Sequence, residues 1–404
     1  MIQHCFYYKF FKSKNLEVIM IKNKSMFYIF VISLVLLTIS PILINSGKRI
    51  NYNELLAVKL DPYHIDIDSK TDFETYSTTG NGTAINPFII ENLNLDLSGE
   101  GGITIFGTDY YFIIRNCVLN GTDLYAGIEI WETTNGIITN NNITNFKYGI
   151  LVKSSSMYSS ENINITNNTL IDNYWRGIEL SSLFPAHPVI DIDVINNTIR
   201  DQELQSGCRV DTATDSVFIN NTFIDNHAKG LWLDNTENML VINNTANNNG
   251  DYGFLIENTH HSNFSKNTAN GNPVDGFKCY DCLYNNFNNN SVIGNSGYGF
   301  QLFNVSYSSL INNSIKNNGG HGILITYYST YNTIQYNTIL GNDGRCIFES
   351  SGSANNVIED NICDETTETP PIPGYQFILI ISALIVLVIP LLIVDRKRKQ
   401  ISLF

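Results

Sequence analysis

The sequence is poor in charge, in tryptophan and in proline. Of its 404 residues only 15% are charged, three are Trp and ten are Pro, whereas 43% are hydrophobic and 44 are Tyr or Phe in equal numbers. A chain this apolar and aromatic is not typical of intrinsic disorder. Lys and Arg (24) are also fewer than Asp and Glu (38), which argues against a nucleic-acid partner.

The usual catalytic and metal-binding motifs are missing. We find no Walker loop, no G-x-G-x-x-G and no Ser/His/Asp order. Cys279 and Cys282 form a C-x-x-C, but no second cysteine pair or nearby histidine completes a four-ligand metal site. Cys208, Cys279 and Cys346 fall at positions that we expect to point inward and pack in a core. A Cys279–Cys282 disulfide is the alternative, since an exported domain permits disulfides.

Uncharged apolar runs lie near both ends of the chain. Residues 26–44 follow five lysines, a pattern typical of a signal peptide or signal anchor. Residues 377–394 would form about 27 Å of helix, enough to cross a bilayer, with the basic stretch at 395–399 in the cytoplasm. The part between them, 46–376, carries 15 Lys and Arg against 36 Asp and Glu, a net charge of −21. We expect this acidic part to lie outside the cytoplasm, anchored to the cell membrane.

What the sequence has in abundance is an Asn- and Gly-rich repeat. Glycine recurs every 23 residues, and after each one apolar residues alternate with variable ones, as in a strand with one buried face. The repeat glycines are Gly207, Gly230, Gly253, Gly276, Gly299 and Gly322, with Gly127, Gly149 and Gly177 as looser relatives. A second register, spaced 23 to 24 residues apart, consists of Asn221, Asn244, Asn267, Asn290, Asn313 and Asn337.

A unit of about 23 residues without a helical period is typical of one coil of a parallel β-helix. Equivalent residues then stack about 4.8 Å apart, and we expect the recurring asparagines to form an amide ladder in αL turns. The fold predicted is an all-β, right-handed, single-stranded parallel β-helix of about eleven coils. The predicted segments are a basic head and signal (1–45), a cap region (46–100), the repeats (101–363), a Pro/Thr/Glu linker (364–376), a transmembrane helix (377–394) and a cytoplasmic tail (395–404).

The repeats also resemble a known family. The stretches GILI…YNTIQYNTI and GFQL…SSLINNSI, with the entry segment GNGTAINPFIIENLNLD at 80–96, are similar to right-handed β-helix proteins of the NosD-like group and its carbohydrate-binding and sugar-hydrolysing relatives. The resemblance covers about residues 71–363 and implies the fold more than the function. The NosD-like name is associated with copper, but the sequence lacks the Met and His clusters that copper needs, so we do not expect it.

The candidate site lies just beyond the buried strand of each repeat. Asp211, Asp234 and Glu257 come four residues after consecutive repeat glycines, and Arg209 and Trp232 lie two residues before the first two of them. Carboxylates beside an aromatic platform suit sugar binding or a Ca²⁺ site. A glycosidase-like use of the carboxylates, assisted by Arg209, is an alternative. So is a plain solvated turn.

Three hypotheses for function follow. The first is a membrane-anchored surface module that binds glycans or other envelope partners, either without a cofactor or with Ca²⁺. The second is a polysaccharide-active hydrolase or lyase, and the third is a purely structural envelope component. N-glycosylation is an open expectation at the N-x-[ST] sites Asn81, Asn120, Asn142, Asn164, Asn167, Asn196, Asn220, Asn243, Asn263, Asn289, Asn304 and Asn312.

Overall fold

A computed structural model describes residues 64–97 and 99–364. The predicted signal segment, transmembrane helix and cytoplasmic tail lie outside these residues and stay predictions. Within residues 64–97 and 99–364, no helix has both the length and the apolarity needed to span a membrane.

The described part is a parallel β-solenoid in which every coil contributes three strands. Strands are numbered in chain order, and each pairs in parallel with the strand three places along the chain, which produces three columns of twelve. The first column contains β1 Ile65–Ile67, β4 Ile103–Phe106, β7 Ala126–Trp131, β10 Tyr148–Ser154, β13 Arg176–Ser182, β16 Cys208–Thr214, β19 Leu231–Glu237, β22 Phe254–Glu257, β25 Phe277–Tyr280, β28 Phe300–Phe303, β31 Ile323–Thr326 and β34 Ile347–Glu349.

The second column contains β2 Phe88–Glu91, β5 Phe112–Arg115, β8 Thr134–Thr139, β11 Glu161–Thr166, β14 Val189–Ile195, β17 Val217–Ile219, β20 Leu240–Ile242, β23 Asn263–Ser265, β26 Asn286–Asn288, β29 Ser309–Ile311, β32 Thr333–Gln335 and β35 Val357–Glu359. The third contains β3 Asn94–Asp96, β6 Val118–Asn120, β9 Asn142–Thr144, β12 Thr169–Ile171, β15 Thr198–Arg200, β18 Thr222–Ile224, β21 Thr245–Asn247, β24 Thr268–Asn270, β27 Ser291–Ile293, β30 Ser314–Lys316, β33 Thr338–Leu340 and β36 Ile362–Cys363. The predicted fold class and coil number are therefore confirmed from β4 onward, and β1 to β3 add one more coil inside the predicted cap region.

The repeat glycines lie one above another, as their spacing predicts. The backbone N–H of Leu231 donates to the carbonyl of Gly253, one coil further on, at 3.1 Å. A Cβ atom on Gly230 would come within 2.8 Å of the same carbonyl oxygen and 2.7 Å of the Ala246 methyl. Glycine recurs here because neighbouring coils leave no room for a side chain.

The core is a set of stacked apolar columns inside the solenoid. Phe254, Phe277 and Phe300 stack with ring centroids 4.4 and 4.8 Å apart, close to the spacing of hydrogen-bonded strands. Phe264 and Phe287 form a second stack at 4.9 Å. All five rings are buried. The apolar positions that alternate along each strand of the sequence thus become continuous columns along the axis.

The predicted asparagine ladder is present, but its residues differ from the prediction in conformation. Asn244 is buried, donates to Asn267 Oδ1 at 3.1 Å and to the Phe218 carbonyl at 2.7 Å, and so links three coils. The left-handed conformation belongs to the exposed residue just before each ladder asparagine, such as Asn243 (φ 54°). The expectation that the ladder residues themselves adopt αL is therefore wrong. The exposed residue takes that conformation, and this turns the ladder amide inward.

A second buried amide ladder escaped sequence analysis. It runs five residues after the first, and Asn249, Asn272, Asn295 and Asn318 donate along it in the same way. Its signal is present in the sequence as a second 23-residue Asn column, which the asparagine-rich turns around it obscure.

Helix α1, Lys70–Tyr76, and a disulfide lie at opposite ends of the solenoid. The helix buries Phe73 against the ring of Phe88, with centroids 4.8 Å apart. Cys346 is bonded to Cys363, which corrects the expectation that Cys346 packs as a free core thiol. Cys279 and Cys282 are both buried free thiols, so the alternative Cys279–Cys282 disulfide is wrong.

Candidate functional site: a cation–aromatic face

The sequence-predicted residues do come together on one face. Asp211, Asp234 and Glu257 occupy the same register on β16, β19 and β22, one per coil. Arg209 and Trp232 are register neighbours two residues earlier on the first two of these strands. The predicted stacking is confirmed, whereas a ligand-binding role for these residues stays a prediction.

Arg209 is the centre of this group. Its guanidinium lies 2.7 Å from Asp211 Oδ2, 3.3 Å from Asp234 Oδ2 and 3.6 Å from Glu179 Oε1. Arg209 and these three carboxylates come from neighbouring strands, one or two coil rises apart. The positive charge of Arg209 reduces the electrostatic repulsion between the stacked carboxylates. Burial, reinforced by the Asp211 charge, still raises the pKa of Asp234 above its usual range.

Trp232 links the cationic and acidic parts of the face. The Arg209 guanidinium carbon lies 4.5 Å from its ring centroid and Lys229 Nζ lies 5.0 Å away, both within cation–π distance. The indole Nε1–H donates to Glu257 Oε2 at 2.8 Å. The third predicted carboxylate is therefore oriented by the indole and not by Arg209.

Sequence analysis missed a buried ion pair one coil earlier. Arg176 Nη1 lies 2.5 Å from Glu179 Oε2, and the two side chains are only 9% and 8% exposed. Burial raises the pKa of Glu179, an effect that the charges of Arg176 and Arg209 oppose. Arg176 is the residue before the repeat glycine Gly177, a position that the search for acidic columns did not consider.

All three tryptophans of the sequence lie beside cations on this side of the solenoid. Lys153 Nζ is 4.8 Å from the Trp131 centroid and forms an ion pair with Glu129 at 2.6 Å. Arg176 lies 5.6 Å from the centroid of Trp175. We call the set Trp131, Trp175, Trp232, Lys153, Arg176, Arg209 and Lys229 the cation–aromatic face.

Beyond Glu257 the same column becomes aromatic. Glu257 is the register neighbour of Tyr280, and Tyr280 stacks on Phe303 at 5.0 Å, which in turn stacks on Tyr327 at 4.5 Å. One face of the solenoid therefore runs from paired charges to stacked rings, with one step per coil. A linear ligand lying along the axis would meet both.

The acidic side chains of this face are engaged by other groups of the protein. Across residues 64–97 and 99–364, no three or more His, Cys, Asp or Glu side chains are arranged so that they could hold a metal ion. Asp211 and Asp234 share Arg209, and Glu257 accepts from the indole. A Ca²⁺ site at these residues stays a prediction. The free cysteines of the described residues, Cys117, Cys208, Cys279 and Cys282, are all buried.

Two family models match adjacent parts of the chain. The model described as right handed beta helix region matches residues 45–189, and the model described as periplasmic copper-binding protein (NosD) matches residues 190–369. No curated protein is significantly similar to the chain.

Solved structures of similar fold include polysaccharide-modifying enzymes. The A-module of mannuronan C-5 epimerase AlgE6 from Azotobacter vinelandii has a TM-score of 0.54 at 15% identity, and the match covers 69% of this chain and 81% of that one. The periplasmic alginate epimerase AlgG has a TM-score of 0.52 at 14% identity over 74% and 84% of the two chains. At such low identity the likeness shows the fold alone.

Proposed function

We propose that this protein, a right-handed parallel β-helix with NosD-like repeats in its C-terminal half, binds an extended glycan along its cation–aromatic face. The domain would act outside the cytoplasm, in keeping with a family described as periplasmic, and residues 377–394 would tether it to the membrane. The observation that carries the proposal is the gathering of all three tryptophans beside cations on one face.

The charge distribution supports this face over the rest of the surface. Residues 64–97 and 99–364 contain only twelve Lys and Arg, and five of them lie on or beside the face: Lys147, Lys153, Arg176, Arg209 and Lys229. Lys153, Arg176, Arg209 and Lys229 are each paired with a carboxylate of the protein. A face of aromatic rings beside polar groups of both signs favours a ligand with hydroxyl-bearing rings. The fold neighbours named for mannuronan and alginate make uronate polymers the first ligands to test.

Binding is tested with the full chain on a glycan array, followed by titration of the best ligand. Trp232→Ala removes the central ring and should weaken binding at least tenfold, because aromatic anchors carry much of a ligand's binding energy. Tyr158→Ala, which truncates a side chain that is 62% exposed, is the matched control and should leave affinity unchanged. If the protein bound no glycan on the array, or if both variants lost affinity equally, the proposal would be contradicted and a purely structural role favoured.

The raised pKa of Asp234 favours a second candidate, a polysaccharide-active enzyme. Asp211 and Asp234 lie at the same register on neighbouring strands, and burial together with the Asp211 charge raises the pKa of Asp234. Two carboxyl groups in different environments are the kind of pair that acid–base catalysis uses. The test incubates uronate polymers with the protein and follows both reducing-sugar release and the absorbance of unsaturated uronates. Activity that Asp234→Ala and Glu257→Ala leave intact would exclude these residues as its carriers.

A further inference from the structure

We propose that the C-terminal end of the solenoid rests on the lipid headgroups of the membrane, with a band of exposed tyrosines at the headgroup level. The band consists of Tyr327, Tyr328, Tyr331 and Tyr336, which are 57%, 65%, 52% and 55% exposed. We call these four residues the tyrosine arc. All four belong to the penultimate coil.

The arc occupies backbone positions at which tyrosine is unfavourable. Its four residues have φ between 53° and 59°, the left-handed region that Asn, Asp and Gly tolerate best. In the next coil the residues aligned with Tyr331 and Tyr336 are Asn355 and Asp360. Strained backbone at exposed aromatic residues points to a function for the rings, since asparagine would serve the fold better.

The four arc residues spread across the axis within one coil, and two of their rings also end stacks along the axis, Tyr327 on Phe303 at 4.5 Å and Tyr331 on Tyr307 at 5.2 Å. Tyr327, Tyr328 and Tyr331 lie in the turn between β31 and β32, and Tyr336 lies in the turn between β32 and β33. A linear glycan on this fold would follow the axis and meet one residue per coil. A band across the axis instead matches a plane perpendicular to it, as a membrane surface would be if the solenoid stands on its end.

The last coil supports the same orientation. Its residues Val357, Ile358 and Ile362 are 45%, 36% and 61% exposed, and Ile358 continues a column that is buried in earlier coils. Twelve residues, 365–376, then separate the solenoid from the uncharged run 377–394. Fully extended, they reach at most about 43 Å, so this end stays near the predicted membrane span.

Tyrosine suits the headgroup layer because its ring is apolar and its hydroxyl group is polar, and it is enriched at membrane interfaces. The layer is roughly 5–8 Å thick on each side, and one coil rise is about 4.8 Å. The arc and the last coil therefore fit within it together.

The charge of the last coil selects the kind of lipid. Its acidic residues outnumber its one cation, Arg345, and they are Asp343, Glu349, Glu359, Asp360 and Asp364. Anionic headgroups would repel this end, so we expect zwitterionic phosphatidylcholine to be favoured.

The test places the full chain in phosphatidylcholine nanodiscs and maps hydroxyl-radical labelling by mass spectrometry, normalised to the unfolded chain. The arc tyrosines should label at least fivefold more slowly than Tyr125 and Tyr158, which are 52% and 62% exposed and distant in sequence from this end. Nanodiscs rich in phosphatidylserine should reduce that protection.

Variants separate lipid contact from folding. Replacing the four arc tyrosines with asparagine should expose the Val357–Ile362 peptide to faster labelling without lowering the melting temperature, because asparagine fits the αL positions. The matched control Tyr284→Asn removes an exposed ring at an αL position two coils before the arc, where it stacks on Tyr307 and on no arc residue, and should change neither.

Several outcomes would overturn the inference. Arc labelling equal to that of the reference tyrosines, in a chain that still enters nanodiscs, would leave the membrane anchor intact and refute the end-on contact. Protection that depends on protein density would point to a second copy, and protection that requires added glycan would assign the arc to the glycan. Failure of the chain to enter nanodiscs would remove the anchor as well.

Discussion

Among single residues, the most informative side chain is Arg209. It compensates three carboxylates from three coils, and its side chain is 19% exposed. Because Glu179 is more deeply buried than Asp211 or Asp234, its charge depends most on the two nearby guanidinium groups. The predicted ligand-binding cluster is thus also a structural ion network.

Replacing Arg209 with Met should therefore destabilise the protein. We expect a loss of about 3 kcal/mol in the free energy of unfolding, since removal of one partner leaves buried charge uncompensated. Chemical denaturation measures it. Arg200→Met is the control, because Arg200 is 45% exposed and pairs with the neighbouring Asp201, and exposed pairs contribute roughly 0–1 kcal/mol. Equal losses would show that Arg209 has no special role.

Asp275 predicts a distinct dependence of stability on pH. Its side chain is buried, burial raises its pKa to about 6, and its Oδ1 accepts the Tyr298 backbone N–H at 2.7 Å. The folded state therefore holds the proton more tightly than the unfolded state, and the stabilisation from this group is lost as pH rises from about 4 through 6.

Asp275→Asn should remove this pH dependence. The difference in unfolding free energy between wild type and variant should change by about 2–3 kcal/mol between pH 4 and pH 7, with the wild type losing stability. Denaturant melts across that range measure it, and Asp343→Asn, at a turn of the last coil, serves as control. A difference that stays flat with pH would contradict the prediction.

At the scale of the single coil, the amide ladder supplies the hydrogen bonds that join one turn to the next. Asn267 accepts from the Asn244 backbone N–H at 2.9 Å and donates to the Val241 carbonyl at 2.8 Å, in the turn between β23 and β24. The residue before it, Lys266, has φ 57° and lies outside the core. The two neighbours therefore have opposite requirements, one for hydrogen bonding and one for backbone conformation.

Substitutions at these two positions should have opposite signs. Asn267→Ala leaves buried backbone groups without partners and should cost about 2–4 kcal/mol. Lys266→Asn should stabilise by a few tenths of a kcal/mol to about 1 kcal/mol, because asparagine tolerates the left-handed conformation. Thermal and denaturant unfolding of both variants check this, and a destabilised K266N would refute the αL argument.

At the scale of the whole solenoid, the stability of each coil depends on its contacts with the neighbouring coils. A coil in a solenoid contacts only its neighbours, so the last coil lacks support on one side. The Cys346–Cys363 disulfide closes a loop of 17 residues there. It holds the end that bears the exposed apolar residues of the proposed membrane contact.

The double variant Cys346→Ser/Cys363→Ser should loosen that end alone. We expect amide hydrogen exchange to become faster in β33 to β36. The free energy of local opening there should fall by about 3 kcal/mol, because the disulfide no longer restrains the loop. Strands β16 and β19, in the middle of the solenoid, should keep their protection. Uniform acceleration along the solenoid would mean that the molecule opens as one cooperative unit.

The order of residues along the chain is enough to specify the coil, its length and its inward columns. A 23-residue interval combined with apolar residues at every second position predicts a parallel β-helix. This is why Gly230 and Gly253 were expected to lie one above the other. The stacking of Asp211, Asp234 and Glu257 follows from the same interval, because the repeat glycines from Gly207 to Gly322 are evenly spaced.

Packing between coils, in contrast, sets which charges meet and which rings are exposed. From Gly127 to Gly207 the repeat glycines are 22, 28 and 30 residues apart, so a constant interval could not place Arg176 and Glu179 beside Arg209. Nor could it show that the ladder asparagines lie inside while their neighbours adopt αL. The repeat period determines which residues of successive coils lie in the same column. The direction of a side chain and its ion-pair partner depend on contacts between coils, and the spacing of residues along the chain does not specify those contacts.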